Sequence, residues 1–318
     1  MSPGEEADTG LTDDKRWLSD CWSPDIYWCI GVEEVLVDSR SDYQRVQVVQ
    51  TKKLGRMLVL DGNVQCAEVD EASYHEMIVH PAMCRAGASG AAGQRALIIG
   101  GGDGGAAREI LRHATISHVD MVDIDSLVTE SAKTYLPSIW RAPQGGPLEA
   151  DPRFHLHHAD GVAFLEEASE GYDLVVVDAS DCIGPGTTLY AEKFYQLIRE
   201  RLRPHGAVTV QAGSFFYLPD VLATVYQSLS AVFPAVAAYQ CFTAVYPGGL
   251  WNLAMATLGD SPLDVDAARA NALRDVDWYT ESTHRAAFVL PPAAQRVLLE
   301  RPRKTPEELA VTLATLGA

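Results

Sequence analysis

Basic residues are scarce in this chain: 25 Lys and Arg stand against 43 Asp and Glu in 318 residues, a net charge of −18. Phosphate backbones are held by clustered cations, so this deficit argues against a nucleic-acid partner. It suits cationic ligands, although surplus acid also serves solubility alone. Metal-ligand spacing is missing too. The six cysteines (Cys21, Cys29, Cys66, Cys84, Cys182 and Cys241) form no CxxC pair, which leaves no usual zinc framework. They are also too dispersed for a disulfide-stapled secreted domain. No apolar run reaches the length of a membrane span. The opening MSPGEEADTG is acidic and polar, unlike a signal or transit peptide. These absences predict a cytoplasmic protein with free thiols and a disordered acidic tail over 1–15.

What is present divides into two units. Val32–Val37, Arg45–Thr51, Met57–Leu60 and Asn63–Ala67 read as short strands rich in branched residues. Asp61-Gly62 between the last two is a hairpin turn signal. A helical pattern follows from Ser73 to Cys84, and the small, Gly-rich Gly87–Gly93 predicts the boundary of an N-terminal β unit over 16–90. From 91 to 318 strands alternate with helices: strands at Ala96–Ile99, His118–Val122, Phe154–His158, Leu174–Val177, Ala207–Val210, Ala235–Cys241 and Asn252–Thr257. The tail after Pro291 reads as helical. This alternation predicts an α/β fold, a Rossmann-like doubly wound, mostly parallel sheet, whose ligands sit outside the carboxyl ends of the strands.

Those ends are acidic. The first strand runs into Gly100-Gly101-Gly102-Asp103-Gly104-Gly105, where glycines let the backbone turn and approach a ligand. Ala106-Ala107 stand where a P-loop needs Lys and Ser/Thr, and Asp103 would repel a pyrophosphate. The second strand ends in Asp123-Ile124-Asp125, at the distance from the glycine loop where an acid takes ribose hydroxyls; Asp125 also suits a helix cap. The third ends in Asp160-Gly161, a place for an adenine amino group or, equally, a cap. The fourth delivers Asp178 and Asp181. Asp103, Asp123, Asp160, Asp178 and Asp181, with almost no Lys or Arg beside them, describe an adenosine-type site next to an acidic pocket, suited to a nucleoside sulfonium without phosphate.

S-Adenosylmethionine carries a carboxylate that Asp103 would repel; the decarboxylated donor removes the conflict. An acceptor amine would attack the methylene beside sulfur, and the sulfonium would leave as a neutral thioether. The amine must lose a proton, since aliphatic amines are mostly protonated at pH 7. Asp178 is the candidate to take it, with Tyr74 fixing the nitrogen and Asp181 holding the cationic acceptor. Whether Asp178 abstracts the proton or orients the ammonium stays open, because nearby ammonium groups lower a carboxylate pKa.

The chain resembles the spermidine synthase (polyamine aminopropyltransferase) family from about residue 25 to 298. The segments that carry the likeness are YQRVQVVQT, LVLDGNVQCAEVDEASYHEM, ALIIGGGDGGAAREIL, VDID, ADG, VVVDASDCIGP, AVYPGG and HRAAFVLP. The resemblance implies transfer of an aminopropyl group from decarboxylated S-adenosylmethionine to putrescine, giving spermidine and 5′-methylthioadenosine. Other amine acceptors (spermidine, agmatine, cadaverine) remain the alternative. It implies no cofactor and no metal, and a homodimer or homotetramer. By the same likeness Asp178 is the acid-base residue beside Tyr74. Asp103 and Gln65 hold the donor's amine, Gln44 and His75 line the donor site with Gly100 and Gly101, Asp123 takes the ribose, and Asp160 with Gly161 takes adenine. Asp181, Gln211 and Tyr246 line the acceptor pocket. Two features depart from the pattern. Asp123 is shorter than the Glu of many relatives, and Trp251 stands where several have a smaller residue; with Tyr27-Trp28 it bears on the acceptor end.

Rival readings are weaker. His75-Glu76 with His80 misses the HExxH zinc spacing by one residue. A non-catalytic subunit of the same fold should lack Asp178, Tyr74 or Asp103, and all are present. A conventional methyltransferase conflicts with Asp103.

Overall fold

A computed structural model describes residues 17–23, 26–180, 182 and 184–316. The acidic tail expected over 1–15 and the candidate residue Asp181 lie outside them.

Five strands form the first unit: β1 (Trp17–Ser23), β2 (Ile26–Arg40), β3 (Arg45–Thr51), β4 (Arg56–Leu60) and β5 (Asn63–Ala67). They pair in chain order as an antiparallel meander. The β4–β5 turn has positive φ at both Asp61 (48°) and Gly62 (91°), the conformation that makes Asp-Gly a hairpin signal. The structure adds β1 and extends β2 at both ends beyond Val32–Val37.

The second sheet is mixed. Its strands are β6 (Gln94–Gly100), β7 (Ile116–Asp123), β8 (Phe154–His158), β9 (Tyr172–Asp178), β10 (Leu202–Gln211), β11 (Ala235–Phe242) and β12 (Leu250–Thr257), in the order β11-β12-β10-β9-β6-β7-β8. Strands β8, β7, β6, β9 and β10 run parallel, while β12 is antiparallel to both β10 and β11. The apolar runs Ala96–Ile99 and Leu174–Val177 are buried throughout, as expected of parallel strands covered on both faces.

The helices are α1 (Glu71–Met83), α2 (Gly105–Leu111), α3 (Ser126–Tyr135), α4 (Gly161–Glu167), α5 (Glu192–Arg201), α6 (Pro219–Val232), α7 (Ala267–Ala272), α8 (Glu281–Ala287), α9 (Pro292–Glu300) and α10 (Pro306–Leu316). Sequence composition sets the unit boundary at Gly87–Gly93, after α1. By contacts, however, α1 belongs to the second unit: it packs on α2 and across β9, β10 and β11. Its Met77, Ile78 and Val79 share one core with β6 and β9, and that core also takes in Val46, Val48 and Leu58 of the first sheet. Among the described residues no helix is long and apolar enough to cross a membrane.

Topology now places the site. The chain leaves β6 for β7 and β8, then returns to β9 on the other side of β6, so strand order reverses between β6 and β9. A crevice opens at such a reversal, above the carboxyl ends. Val122, Ile99, Val177 and Val210 are register partners across four strands. The next residue on each is Asp123, Gly100, Asp178 and Gln211, which therefore stand side by side at the mouth.

Candidate functional site

A cavity of about 540 Å³ opens over this row, within the usual range for a small-molecule site. Gln44, Gln65, Tyr74, Gly100, Gly101, Asp103, Asp123, Asp160, Gly161, Asp178, Gln211, Tyr246 and Trp251 all line it. Most of the residues singled out from the sequence thus converge, from both sheets and from α1.

The glycine loop explains the tight approach. Gly100 has φ 81°, and a Cβ there would lie 2.2 Å from the Asp178 carbonyl oxygen. That same carbonyl accepts from Gly101 N at 2.7 Å. Gly105 opens α2 against α1 so closely that a Cβ would meet His75 Nδ1 at 2.1 Å. Only glycine allows the loop to lie flat on its neighbours.

Asp178 sits at the centre. Its Oδ1 accepts from Tyr74 Oη at 2.7 Å. Its Oδ2 is buried and has no hydrogen-bond partner among the described residues. Burial and the nearby Asp103 charge raise its carboxyl to about 6, against the opposing pull of His75 and Tyr74. A buried acid beside a second carboxylate moves up, whereas ammonium neighbours would move it down. Burial, and then the Asp178 charge, push the Tyr74 phenol well above its usual range, so it stays a neutral donor. Asp123 is likewise raised to about 7, mainly by burial and then by Asp125, Asp103 and Asp178.

Asp103 behaves differently. Burial pushes it up, but the His75 cation and the Gly105 N–H bring it below the carboxylate range. His75 does not line the cavity as the sequence implied. It stands one layer back, 1% exposed, with Nε2 3.2 Å from Asp103 Oδ1 and Nδ1 2.6 Å from Glu71 Oε2. The first contact is an ion pair off the line of the N–H rather than a hydrogen bond. Although burial disfavours the charged ring, these two carboxylates hold His75 well above the imidazole range.

Behind it runs a chain of buried charges. Arg108 grips both Glu71 oxygens, at 2.9 and 2.7 Å, and reaches Glu109 Oε1 at 2.6 Å. Glu109 Oε2 takes Arg112 Nε at 2.6 Å and faces His80 Nε2 at 3.1 Å. Sequence reasoning missed Glu71, Arg108 and Glu109. The Glu71/His75 pair was visible as an i, i+4 spacing on a helix. The zinc-like spacing of His75, Glu76 and His80 dissolves in this arrangement, because Glu76 instead accepts the backbone N–H groups of Asp277, Trp278 and Tyr279.

Two acids at the strand ends cap helices, and one of them also faces the cavity. Asp160 Oδ1 caps α4 through Val162 N and Ala163 N, both at 2.9 Å, while the residue lines the cavity. Asp125 Oδ1 caps α3 through Leu127 N at 3.0 Å. On the far side, Gln211 Nε2 donates to Tyr190 Oη at 2.8 Å, and Tyr246 Oη donates to the Gln65 carbonyl. The Tyr246 ring packs 4.6 Å from that of Trp251, which is 4% exposed. Trp28 lies edge-on to Tyr217 at 6.5 Å, and neither it nor Tyr27 lines the cavity.

Comparisons with known proteins agree in kind. Residues 71–262 match a family model described as a spermine/spermidine synthase domain, and residues 16–68 one described as a spermidine synthase tetramerisation domain. A polyamine aminopropyltransferase of Caldicellulosiruptor saccharolyticus is 33% identical over 89% of this chain and 98% of its own length. A spermidine synthase of Coffea arabica is 34% identical over 88% and 89%. Among solved structures, a spermidine synthase in complex with the transition state analogue AdoDATO superposes with a TM-score of 0.83 at 28% identity, covering 92% of this chain and 98% of that one. A spermidine synthase from Thermotoga maritima gives 0.80 at 27%, over 93% and 99%.

Proposed function

The chain belongs to the spermine/spermidine synthase family, the polyamine aminopropyltransferases, and from that premise we propose that it transfers the aminopropyl group of decarboxylated S-adenosylmethionine to putrescine. The products are spermidine and 5′-methylthioadenosine. The observation that carries this reading is the Asp178 carboxylate, held by Tyr74 through one oxygen, with the other buried and unpartnered beside Asp103 and Asp123.

In this reading Asp103, with Gln65, takes the donor's ammonium, and Asp123 takes the ribose hydroxyls. Asp160 and Gly161 take adenine, while Gln44, Gly100 and Gly101 close around the donor. Asp181, Gln211, Tyr246 and Trp251 surround the acceptor. The acceptor nitrogen uses its lone pair to form the C–N bond, the C–S bond breaks, and its electron pair goes to sulfur. The extra proton on nitrogen passes toward Asp178. A neutral thioether departs, so the displacement itself calls for no metal or redox cofactor. Two reactants held in line supply much of the rate. The bulk of Trp251 packed on Tyr246 favours a short diamine over a longer amine. The match to a tetramerisation domain supports a homo-oligomer, dimer or tetramer, and the thiols of Cys29, Cys66, Cys84 and Cys241 fit a cytoplasmic setting.

The deciding assay incubates the protein with decarboxylated S-adenosylmethionine and putrescine, spermidine, agmatine or cadaverine, and weighs the products. Spermidine from putrescine is expected as the dominant product. Absence of any aminopropyl adduct would overturn the activity, and preference for another amine would overturn the acceptor.

Donor binding is also expected to release protons. The carboxyls of Asp178 and Asp123 are raised to about 6 and about 7, so both are partly protonated near pH 6.5. A sulfonium and an ammonium favour their ionised forms and pull both pKa values down. Affinity for the donor therefore rises with pH through this window and levels off above it. Calorimetry at pH 6.5 in two buffers of unlike ionisation heat measures the release, and identical apparent heats would contradict it.

A further inference from the structure

We propose that Asp125 is a positioning residue for donor binding, because its carboxylate decides which edge of the Gln44 amide faces the cavity. The inference rests on the reading of Gln44 as part of the donor site.

Asp125 is 1% exposed and belongs to the second unit, while Gln44 ends the turn between β2 and β3 of the first. Three donors converge on the carboxylate. Oδ1 takes Leu127 N at 3.0 Å; Oδ2 takes Ser41 Oγ at 2.7 Å and Gln44 Nε2 at 2.9 Å. Ser41 Oγ accepts from Tyr43 N and Gln44 N, each at 3.1 Å, and its hydrogen has Asp125 Oδ2 as the nearer acceptor, the Gln44 carbonyl lying at 3.2 Å. The turn from Ser41 to Gln44 is thus wound around one hydroxyl and fastened to the neighbouring unit through one carboxylate oxygen.

A carboxylate only accepts, whereas an amide has one accepting and one donating edge. Gln44 must therefore give its –NH2 to Asp125. Its carbonyl Oε1 is left without a protein partner among the described residues, on a side chain that lines the cavity. That edge suits hydroxyl or ammonium hydrogens of the donor. Reversed, it would oppose them with its own hydrogens. Asp125 thus serves α3 with one oxygen and the donor site with the other.

The test reverses the edge and then restores it. Asp125→Asn keeps an oxygen for the α3 cap but turns an –NH2 toward Gln44, which must answer with its carbonyl and show its own –NH2 to the cavity. The donor KM, and the donor Kd from calorimetry, are expected to rise roughly tenfold or more, the scale of a lost hydrogen bond to a charged or strongly polar partner. The pair Asp125→Asn/Gln44→Glu puts a carboxylate against the new amide and presents an accepting oxygen again, so affinity should recover most of the loss. Gln44→Glu alone sets two carboxylates face to face and should bind the donor worse than the pair. Ser41→Ala removes a donor to the same oxygen without reversing Gln44, and should raise KM less than Asp125→Asn.

Unchanged donor affinity in Asp125→Asn, or a pair variant no better than either single variant, would overturn the proposal. So would Ser41→Ala matching the full loss, since the turn alone would then matter. Should Asp125→Asn fail to fold, the comparison of Gln44→Glu with the pair still decides. Turnover by the unmodified enzyme is measured first, so failure of the activity itself is seen separately.

Discussion

Asp178→Asn is expected to lower kcat by about a thousandfold, within the usual span for a lost acid-base group, while leaving the affinity for 5′-methylthioadenosine almost unchanged. Asparagine retains an oxygen for Tyr74 but places an –NH2 where the bare Oδ2 stands. That group donates toward a nitrogen that must itself lose a proton. The thioether product carries no charge and makes no demand on this atom, so its binding is the control for an intact pocket. Tyr74→Phe removes only the partner on Oδ1 and should cost less, roughly ten- to a hundredfold. Wild-type turnover should fall on the acid side as Asp178 is protonated. Burial and Asp103 hold the Asp178 carboxyl at about 6, and cationic substrates will move that limb to lower pH. Steady-state kinetics of the three proteins from pH 5 to 9 check this; Asp178→Asn within a few-fold of wild type would remove Asp178 from the reaction.

Glu109→Ala should destabilise the fold by about 3–5 kcal/mol, because removing one partner of a buried ion network strands the others. Glu109 is fully buried. Burial opposes its charge, yet His80, Arg108 and Arg112 hold its carboxyl far below the usual range. A depressed carboxylate contributes stability that is complete above its unfolded pKa and lost as pH falls toward the folded one. The ionisation of Glu109 itself therefore leaves the loss intact at neutral pH and shrinks it only under strong acid. Thermal unfolding of the two proteins reads it as a drop of roughly five to eight degrees. A drop of only one or two degrees would mean that Arg108 and Arg112 find other partners.

Much of the second unit was legible because its central strands are buried on both faces and so read as unbroken apolar runs. The acids at their ends stood out against that background. Less of the first unit showed. Trp17–Ser23 contains Asp20, fully buried within β1, and a buried acid breaks the alternation by which strands are recognised. Strand β2 bends through two register shifts, which blurs its period in the same way. The boundary read after α1 follows glycine and alanine, which mark a chain that can turn, whereas packing sets α1 against α2 and the second sheet. At the site, acids facing the cavity could be read one by one. The supporting charges could not, since Arg108 and Glu109 look like any helical pair until α1 is laid across α2. The linkage of Asp125 to Gln44, 81 positions apart, had no local signal.

The antiparallel strand β12 has a consequence for synthesis of the chain. It lies between β10 and β11 and is the last of the seven strands to leave the ribosome. Until Leu250–Thr257 emerges, one edge of β10 faces water and β11 has no sheet to join. Unpaired edges of this kind invite pairing with other chains, and chains are most exposed to such errors while part-made. The nascent protein therefore carries an open seam from the completion of β10 until the eight residues of β12 close it at one stroke.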